Sequence, residues 1–369
     1  MCIILLISFS YTKNLLLLKL MKKSIILDVL RTNCQKTKTP IWLMRQAGRY
    51  LPEYKLIRQK VPRFLDVCYD SKLAAEITIQ PIRRFGFDAA ILFADILVVP
   101  DCFGMNVEFK SGYGPTMDTI RSRNDFHKLN LKEEKFKSVW NTISILKEKL
   151  PKETSLIGFA GAPWTVATYM MEGCGGSKTN FSLSKQILKE DPDMLEDLIN
   201  IIIDSTVKYI EGQIKAGAEI IQLFDSWAGE LKGEAYKRFI EKPNKILVEK
   251  IRKIDPKVPI ICFPKGIEDL ESFIDNVKPD CLGISSEVDL DVAKKLKEKV
   301  IIQGNLDPEI LASTKEKIKS ATENILNKLG GNNFIFNLGH GILPHTPIEN
   351  VEFLVDLVRK HEKNSHNIA

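Results

Sequence analysis

Short apolar runs recur along the chain, and most of them end at a polar residue or a glycine. Each run is nearly continuous in its apolar residues, which is typical of strands buried on both faces of a parallel sheet. Segments with a helical spacing of apolar residues separate the runs. Eight runs are found, at residues 41–44, 89–94, 156–160, 219–224, 258–263, 281–284, 300–303 and 334–337.

The segments between the runs carry the usual signals of helix ends. Gly86 and Gly217 each follow a helical pattern, as expected of residues that end a helix. Asp307 and Thr346 are suitable N-caps, and Pro81 is expected to kink the helix that contains it. Helices are predicted over residues 70–85, 192–216, 234–254, 308–329 and 347–360.

Eight buried strands alternating with helices predict a single-domain α/β fold, the (β/α)₈ TIM barrel, with the active-site cleft at the carboxyl ends of the strands. An open doubly wound sheet is the alternative, and a glycine-rich phosphate turn after the first strand would favour it. No such turn is present, since the glycines at 173–176 follow a helix-like stretch instead. Residues 107–115 are expected to form a hairpin over the barrel mouth.

The first twenty residues resemble a signal sequence in their apolar content, but they lack a basic start and a small-residue cleavage site. Met21 is followed by two lysines and a helical pattern, which resembles a natural start. We therefore expect residues 1–20 to be an N-terminal extension from an overcalled start codon and residues 21–369 to form the barrel. Deleting the extension should leave solubility and activity intact.

Composition narrows the function classes. With 44% hydrophobic side chains in 369 residues, the chain can bury a large core. Its 53 basic and 47 acidic residues give a net charge of +6, which is too small and too evenly spread for a nucleic-acid surface, and no membrane partner is expected. Seven cysteines without a Cys-x-x-Cys pair indicate a reduced, cytoplasmic environment.

The first candidate site follows the first apolar run, where Arg45 and Arg49 flank Gly48. We expect Gly48 to let the backbone turn tightly, so that both guanidinium groups leave the core on one loop. Two such groups can bind carboxylates or phosphates bidentately. The alternative is that these arginines pair with acidic residues on the surface.

Other polar residues follow later strands, where the chemistry of a barrel is placed. Asp95 ends an apolar run and needs partners for its charge, although it could also cap a helix. Tyr169 lies beyond the third strand, and Asp225 and Ser226 follow the fourth. Ser226 could simply satisfy backbone donors, and His340, between two glycines, could be a packed turn residue.

Five motifs together resemble the uroporphyrinogen decarboxylase family, in the family's order and over residues 25–360. They are residues 40–54, 93–100, 161–165, 222–229 and 337–341. The resemblance implies a cofactor-free (β/α)₈ homodimer that removes CO₂ from the four acetate groups of uroporphyrinogen III to give coproporphyrinogen III, in haem biosynthesis. It implies catalytic roles for Asp95, Arg45 and Arg49. It implies substrate binding by Arg45, Gln46, Ala47, Gly48, Arg49, Arg58, Asp95, Tyr169, Ser226 and His340.

Two other functions remain open from the sequence. A corrinoid-linked methyltransferase would need soft zinc ligands at the strand ends, and neither Cys262 nor His340 stands in the required His-x-Cys pattern. We therefore expect no metal site. A tetrapyrrole carrier would use the same cleft without turnover. The proton donor for decarboxylation is also open between an arginine, a water molecule and His340.

Overall fold

The computed structural model describes residues 24–32, 38–110 and 112–365. The expected N-terminal extension and the expected start at Met21 lie outside these residues. The strands are β1 (Ala89–Ile91), β2 (Glu108–Lys110), β3 (Gly114–Thr116), β4 (Ser155–Gly161), β5 (Ile220–Asp225), β6 (Ile260–Pro264), β7 (Cys281–Gly283), β8 (Ile301–Leu306) and β9 (Phe334–Leu338).

Helices separate the strands of the main sheet, as the sequence predicts. They are α1 (Ile25–Thr32), α2 (Pro52–Lys60), α3 (Phe64–Tyr69), α4 (Ser71–Phe85), α5 (Val98–Cys102), α6 (Glu134–Lys149), α7 (Pro163–Glu172), α8 (Gly176–Thr179), α9 (Ser182–Glu190), α10 (Pro192–Ala216), α11 (Gly233–Tyr236), α12 (Lys242–Ile254), α13 (Leu270–Val277), α14 (Leu290–Leu296), α15 (Pro308–Leu311), α16 (Lys315–Leu329) and α17 (Ile348–Ser365).

Seven strands form one parallel sheet in the order β1-β4-β5-β6-β7-β8-β9. Each of them coincides with a predicted apolar run to within a few residues, and their side chains are almost all buried. A sheet of this order with helical crossovers curls into a barrel, so the predicted fold class is confirmed.

The predicted first strand is present only as a single parallel bridge between Ile41 and Phe336. Side chains take the place of a ladder: the Ile41 N–H donates to Asp88 Oδ2 at 2.7 Å, and the Met44 N–H donates to Asn337 Oδ1 at 2.9 Å. The Asp88 N–H donates to the Ile41 carbonyl at 3.0 Å. The prediction of a regular strand is wrong here, but this segment still lies between β9 and β1 and closes the barrel.

Three details of the helix predictions need correction. The helix predicted over 308–329 is split into α15 and α16, because the Ser313 hydroxyl donates to the Ile310 carbonyl at 2.6 Å and competes with the helical pattern. Between α11 and α12 lies a π-helical turn, just before Pro243, which has no N–H for an α-helical bond. The Thr346 hydroxyl has no hydrogen-bond partner among the described residues, so its expected N-cap is not formed.

Other helix ends follow the predictions closely. Helix α4 begins after Asp70, whose side chain accepts from two backbone N–H groups, and ends at the left-handed Gly86. Pro81 lies inside this helix, and its expected kink stays a prediction. Helix α10 has the predicted bounds, and Asp307 caps α15 by accepting from the Glu309 N–H at 2.8 Å.

The long connection between β1 and β4 contains the predicted hairpin. Strands β2 and β3 pair antiparallel, and Thr116 forms a further antiparallel bridge with Cys174 at the end of α7. Within the described parts of the chain, no helix has both the length and the apolar character needed to cross a membrane.

Candidate active site

One large cleft, with a volume of about 1210 Å³, opens at the carboxyl ends of the barrel strands. Phenylalanine rings form an apolar floor: Phe159 lies 5.6 Å from Phe224, which lies 6.4 Å from Phe263, as measured between ring centroids. Residues 109–115 of the hairpin contribute to the wall, as expected, with Ser111 outside the described residues. The cleft is therefore where the barrel prediction places it.

Basic side chains greatly outnumber acidic ones in the lining of the cleft. Among the described residues that line it, Asp95 is the only carboxylate. The sequence predicted the arginines but missed the three lysines, which lie on helix α2, on the hairpin and on α8. The basic residues of the lining are Arg45, Arg49, Lys55, Arg58, Lys110 and Lys178.

Lys110 could have been inferred from the sequence, because it flanks the predicted hairpin turn. Lys178 follows a glycine-rich loop that carries no phosphate-binding pattern, so nothing in the sequence connects it with the cleft. In the structure, its ammonium group lies 3.4 Å from the centroid of the Tyr113 ring and donates to the Tyr113 carbonyl. This contact joins α8 to the hairpin and forms one wall of the cleft.

Arg45 itself makes the tight turn of the arginine segment, since its φ of 62° lies in the left-handed region. Gly48 is not among the glycines with positive φ, so the left-handed residue of this segment is Arg45. A tight turn does begin at Gly48, as expected: its carbonyl accepts the Leu51 N–H at 3.0 Å, and a Cβ on it would lie 3.1 Å from the Arg45 carbonyl oxygen. Gly341 is needed as well, since a Cβ on it would lie 2.3 Å from Arg45 Cδ. A left-handed conformation costs a residue such as arginine about 1–2 kcal/mol, so the surrounding contacts must hold it.

Two contacts provide that support. Asn337 at the end of β9 accepts the Met44 N–H, and the Ile342 N–H donates to the Met44 carbonyl at 2.9 Å. The residue before Arg45 is thus fixed on both sides by residues 337 and 342, which flank His340 in the chain. The first and last motifs of the chain therefore form one structural unit.

Neither Arg45 nor Arg49 forms an ion pair with a described residue, and both side chains are exposed to the cleft. The alternative of pairing with surface acids is therefore not observed. Arg58 donates to the Val61 carbonyl at 2.6 Å and lies over the Phe64 ring at 5.8 Å. Two unpaired guanidinium groups and a partly anchored third one can bind several carboxylates.

Asp95 follows β1 at the bottom of the cleft, and its Oδ1 accepts the Leu97 N–H at 2.9 Å. Loss of surrounding water raises the pKa of this carboxyl group to about 6, although the Leu97 N–H and the charge of Arg45 both favour the ionised form. The group is therefore mostly ionised at pH 7. A single negative charge thus lies in an apolar floor beneath a basic rim.

His340 follows β9 and also lines the cleft. Burial lowers the pKa of its imidazole to about 4, and the charges of Arg45 and Lys265 act in the same direction. The ring is neutral at pH 7 and can offer one hydrogen-bond donor and one acceptor. No hydrogen bond of the ring to another described residue is found, which leaves both nitrogens for a ligand.

Tyr169 on α7 and Ser226 after β5 both line the cleft, on the wall that lies across the barrel from β9 and His340. Burial raises the pKa of Tyr169, and the charge of Asp95 raises it further, so the phenol stays protonated. Its ring lies 4.4 Å from the Trp227 ring, measured between centroids. These two hydroxyl groups can orient a ligand that is held by the arginines.

Gln46, Ala47 and Gly48 were all expected to contact substrate. Ala47 and Gly48 line the cleft, but Gln46 does not. The Gln46 side chain is fully buried, accepts the Leu43 N–H at 3.0 Å and donates to the Ala89 carbonyl at 2.9 Å. The structure therefore places Gln46 in the support of the arginine segment, away from the cleft.

The alternative, zinc-dependent chemistry would need a set of metal-binding side chains in the cleft. In the ranges that the structure describes, no group of three or more His, Cys, Asp or Glu side chains is placed to hold a metal ion. Cys262 is buried in β6 and does not line the cleft. The zinc-dependent methyltransferase hypothesis therefore has no ligand set among these residues.

Comparison with known proteins agrees with the geometry. A family model described as "Uroporphyrinogen decarboxylase (URO-D)" matches residues 21–361. A Rickettsia massiliae protein named uroporphyrinogen decarboxylase is 49% identical over 332 residues, which cover 89% of this chain and 95% of that protein. A Rickettsia africae protein of the same name is 48% identical over 344 residues, covering 93% and 98%.

Among solved structures, a methyltransferase from Methanosarcina mazei superposes with a TM-score of 0.74. It is 19% identical in sequence, and the match covers 92% of this chain and 99% of that one. At this identity, the likeness shows a shared barrel fold and nothing about the reaction.

Proposed function

The chain belongs to the uroporphyrinogen decarboxylase family, and we propose that its cleft binds uroporphyrinogen III and removes CO₂ from the four acetate groups to give coproporphyrinogen III. This activity makes it a carboxy-lyase of haem biosynthesis. One observation carries the proposal for the site: the cleft has a basic rim, an apolar floor and Asp95 as the only acidic group among its described lining residues.

The substrate fits these features. It carries eight carboxylates around a ring of four pyrrole N–H groups. The carboxylates bind to cations at the rim, where the planar guanidinium groups of Arg45, Arg49 and Arg58 can donate bidentately. The N–H groups find an acceptor at the floor in the Asp95 carboxylate. Tyr169, Ser226 and His340 add hydrogen bonds that set the orientation of the ring.

Asp95 has a direct role in the chemistry. Adding a proton to a pyrrole ring carbon makes the ring cationic, and the ring then serves as the electron sink. The bond between the acetate methylene and its carboxylate breaks, CO₂ leaves, and the electron pair passes into the ring. A proton then adds to the methylene carbon to make a methyl group, and the ring carbon loses its extra proton. A fixed carboxylate in an apolar floor stabilises the cationic state more strongly than water does.

The state of His340 narrows the choice of proton donor. Because the pKa of its imidazole is lowered to about 4, almost none of it is imidazolium at pH 7. We assign it to hydrogen bonding with the substrate. An arginine or a water molecule remains as the proton source.

The test is a product analysis. The purified protein is incubated anaerobically with uroporphyrinogen III and no added cofactor, and the products are followed by mass. We expect four successive CO₂ losses ending at coproporphyrinogen. Unchanged substrate would contradict the proposal, and binding without turnover would indicate a tetrapyrrole carrier.

We further propose that the protein is a homodimer in the cytoplasm. The five cysteines in the described residues are all free and buried, which agrees with a reducing compartment. Light scattering on the purified protein should give twice the chain mass of 41.9 kDa. A monomer mass at working concentration would contradict the dimer.

A further inference from the structure

Asp225 is a buried carboxylate beside the active site that has no assigned role. It is the last residue of β5, with only 2% of its surface exposed, and it does not line the cleft. The next residue, Ser226, does line the cleft. A charged group in this position is costly to bury, so its partners decide what it does.

Both carboxylate oxygens accept hydrogen bonds from other elements. The Thr165 hydroxyl donates to Oδ1 at 2.6 Å, and Asn244 Nδ2 donates to Oδ2 at 3.0 Å. The Thr165 backbone N–H also stabilises the charge. Thr165 lies in the first turn of α7, where the helix dipole favours a negative charge. Asp225 thus joins the end of β5 to the start of α7 and to α12.

The same contacts continue toward the cleft. The Trp227 N–H donates to the Thr165 hydroxyl at 3.3 Å, and Trp164 Nε1 donates to the Trp227 carbonyl at 3.1 Å. The Trp227 ring packs on Tyr169, which α7 carries into the cleft. A series of contacts therefore runs from the Asp225 carboxylate through Thr165 and Trp227 to Tyr169. Ser226, which carries the other hydroxyl group of this wall, directly follows Asp225 in the chain.

An amide cannot replace the carboxylate in this arrangement. The second N–H of the Asn244 side chain already donates to the Ile240 carbonyl at 2.9 Å, so this side chain presents only a donor to residue 225. The Thr165 hydroxyl also donates to residue 225 while it accepts from Trp227. An asparagine at 225 would place its NH₂ group either against Asn244 Nδ2 or on the Thr165 side. On the Thr165 side the hydroxyl could turn and accept, but the Thr165 backbone N–H can only donate and would lose its acceptor.

We propose that Asp225 is a positioning residue for the decarboxylation, which fixes the turn at residues 226–227 against the start of α7 and so holds Ser226 and Tyr169 toward the substrate. It acts through these residues and does not touch the substrate. The proposal rests on the proposed function for its kinetic test, but its structural part can be measured without turnover.

The kinetic test compares Asp225→Asn with Asp280→Asn. Asp280 is a matched control at the other end of the barrel, where it accepts the Ile260 N–H at 2.8 Å and pairs with Arg252 at 3.2 Å. We expect both variants to melt at lower temperature. Asp225→Asn should lower kcat about tenfold or more with KM changed less than threefold, because the arginines remain and only orientation is lost. Asp280→Asn should keep kcat within twofold.

A double-variant test separates positioning from general destabilisation. Tyr169→Phe should cost clearly less in the Asp225→Asn background than in the wild type, because the phenol is already misplaced there. Fully additive effects, or a kcat of Asp225→Asn within twofold of wild type, would overturn the proposal. If Asp225→Asn does not fold, Thr165→Val takes its place, and unchanged kcat in that variant would overturn the proposal equally.

Tryptophan fluorescence supplies the readout that does not need activity. Asp225→Asn should change the emission or its quenching by acrylamide, and the change should vanish when Trp227 is replaced by Phe. Asp280→Asn should show no such change. If wild-type protein fails to turn over uroporphyrinogen, the proposed function fails, whereas this signal still decides whether Asp225 fixes the turn.

Discussion

At Asp95, charge and shape can be tested apart, because asparagine keeps the volume and one acceptor oxygen but removes the negative charge. If the carboxylate offsets a cationic transition state, Asp95→Asn should lower kcat by roughly a hundredfold or more. The fold and part of the substrate affinity should persist, since the arginines are untouched. Circular dichroism measures whether the variant keeps its fold, and single-turnover kinetics measure its substrate affinity and the rate of the chemical step.

Asp95→Glu then tests position. It restores the charge but moves it by one methylene toward the substrate, and a displacement of about 1 Å can cost about a hundredfold. Both variants should therefore fold and both should be slow. Near-normal turnover in Asp95→Asn would remove the carboxylate from the mechanism.

The raised pKa of Asp95 predicts the acid limb of the pH profile. In the proposed mechanism the ionised form is the active one, so kcat/KM should be full near pH 7.5, should fall through an apparent pKa of about 6, and should drop about tenfold per pH unit below it. The free energy of unfolding should change in the opposite direction to the activity as the pH falls. A folded pKa above the usual 3.8 means that the native state binds this proton more tightly, so protonation favours the fold between pH 6 and 4.

Measuring kcat/KM and ellipticity on the same samples from pH 5 to 8 separates the two effects. Loss of activity should precede any loss of structure. An activity that stays flat down to pH 5 would show that Asp95 is ionised more easily than its surroundings indicate.

The planar guanidinium of Arg49 should not be replaceable by an ammonium group. Arg49→Lys keeps the charge but loses the bidentate contact, which is worth about 1.5–3 kcal/mol, so kcat/KM should fall about tenfold or more. The matched control is Arg83→Lys, because Arg83 forms an exposed ion pair with Glu76 at 3.0 Å. Steady-state kinetics should show no effect of the control. If Arg49→Lys kept the wild-type kcat/KM, as is expected of Arg83→Lys, Arg49 would have no role in substrate binding beyond that of a surface residue.

Residue positions at the strand ends could be predicted from the sequence because polar residues interrupt apolar runs there. Asp95 and His340 were found in this way, and both line the cleft. The left-handed backbone of Arg45 could not be predicted, since it depends on Gly341 and Asn337 from the far end of the chain. Lys178 was missed because its nearness to the cleft comes from a contact with the hairpin.

At the scale of elements, the seven buried strands could be predicted because burial on both faces leaves a continuous apolar run. The irregular segment at Ile41 has the same apolar character, but the side chains of Asp88 and Asn337 accept two of its backbone N–H groups, which in a regular strand would donate to a neighbouring strand. Periodicity does not record such long-range side-chain contacts. The break between α15 and α16 was missed for a local reason, the competition by the Ser313 hydroxyl.

The hairpin over the cleft is the element whose conformation should affect substrate binding most directly. Gly114 has a φ of 95°, and nothing lies within 4 Å of a Cβ built on it. Gly114→Ala therefore introduces backbone strain of about 1 kcal/mol without a steric clash. Because the hairpin forms part of the cleft wall, KM should rise severalfold, while the melting temperature should change little.

Gly331→Ala is the matched control. Gly331 has a φ of 88°, is equally free of neighbours, and lies before β9 at the end of the barrel away from the cleft. Kinetics and melting curves of both variants should show a KM effect for Gly114→Ala alone. An unchanged KM would mean that the hairpin wall does not contact the substrate.

At the scale of the whole molecule, the moderate net charge of +6 conceals a strong local asymmetry, because the basic residues of the lining face one another across one cleft. Such a cleft focuses the field and attracts a polyanion, and salt screens this attraction. Raising NaCl from about 0.05 to 0.5 M should therefore lower kcat/KM for uroporphyrinogen about tenfold, with kcat nearly unchanged.

The reaction itself changes the charge of the substrate, which makes the salt effect specific. Each decarboxylation removes one carboxylate, so the salt dependence should weaken from the first step to the fourth. Lys110→Gln should reduce the dependence, whereas Lys215→Gln should not, because Lys215 pairs with Glu211 at 2.6 Å at the end of α10. The kinetics of each intermediate are measured separately at several salt concentrations. The slope of log kcat/KM against log salt concentration then gives the salt dependence of each step. Equal slopes for all four steps would mean that the rim does not recognise the carboxylates, and binding would then have to depend on the apolar floor and Asp95.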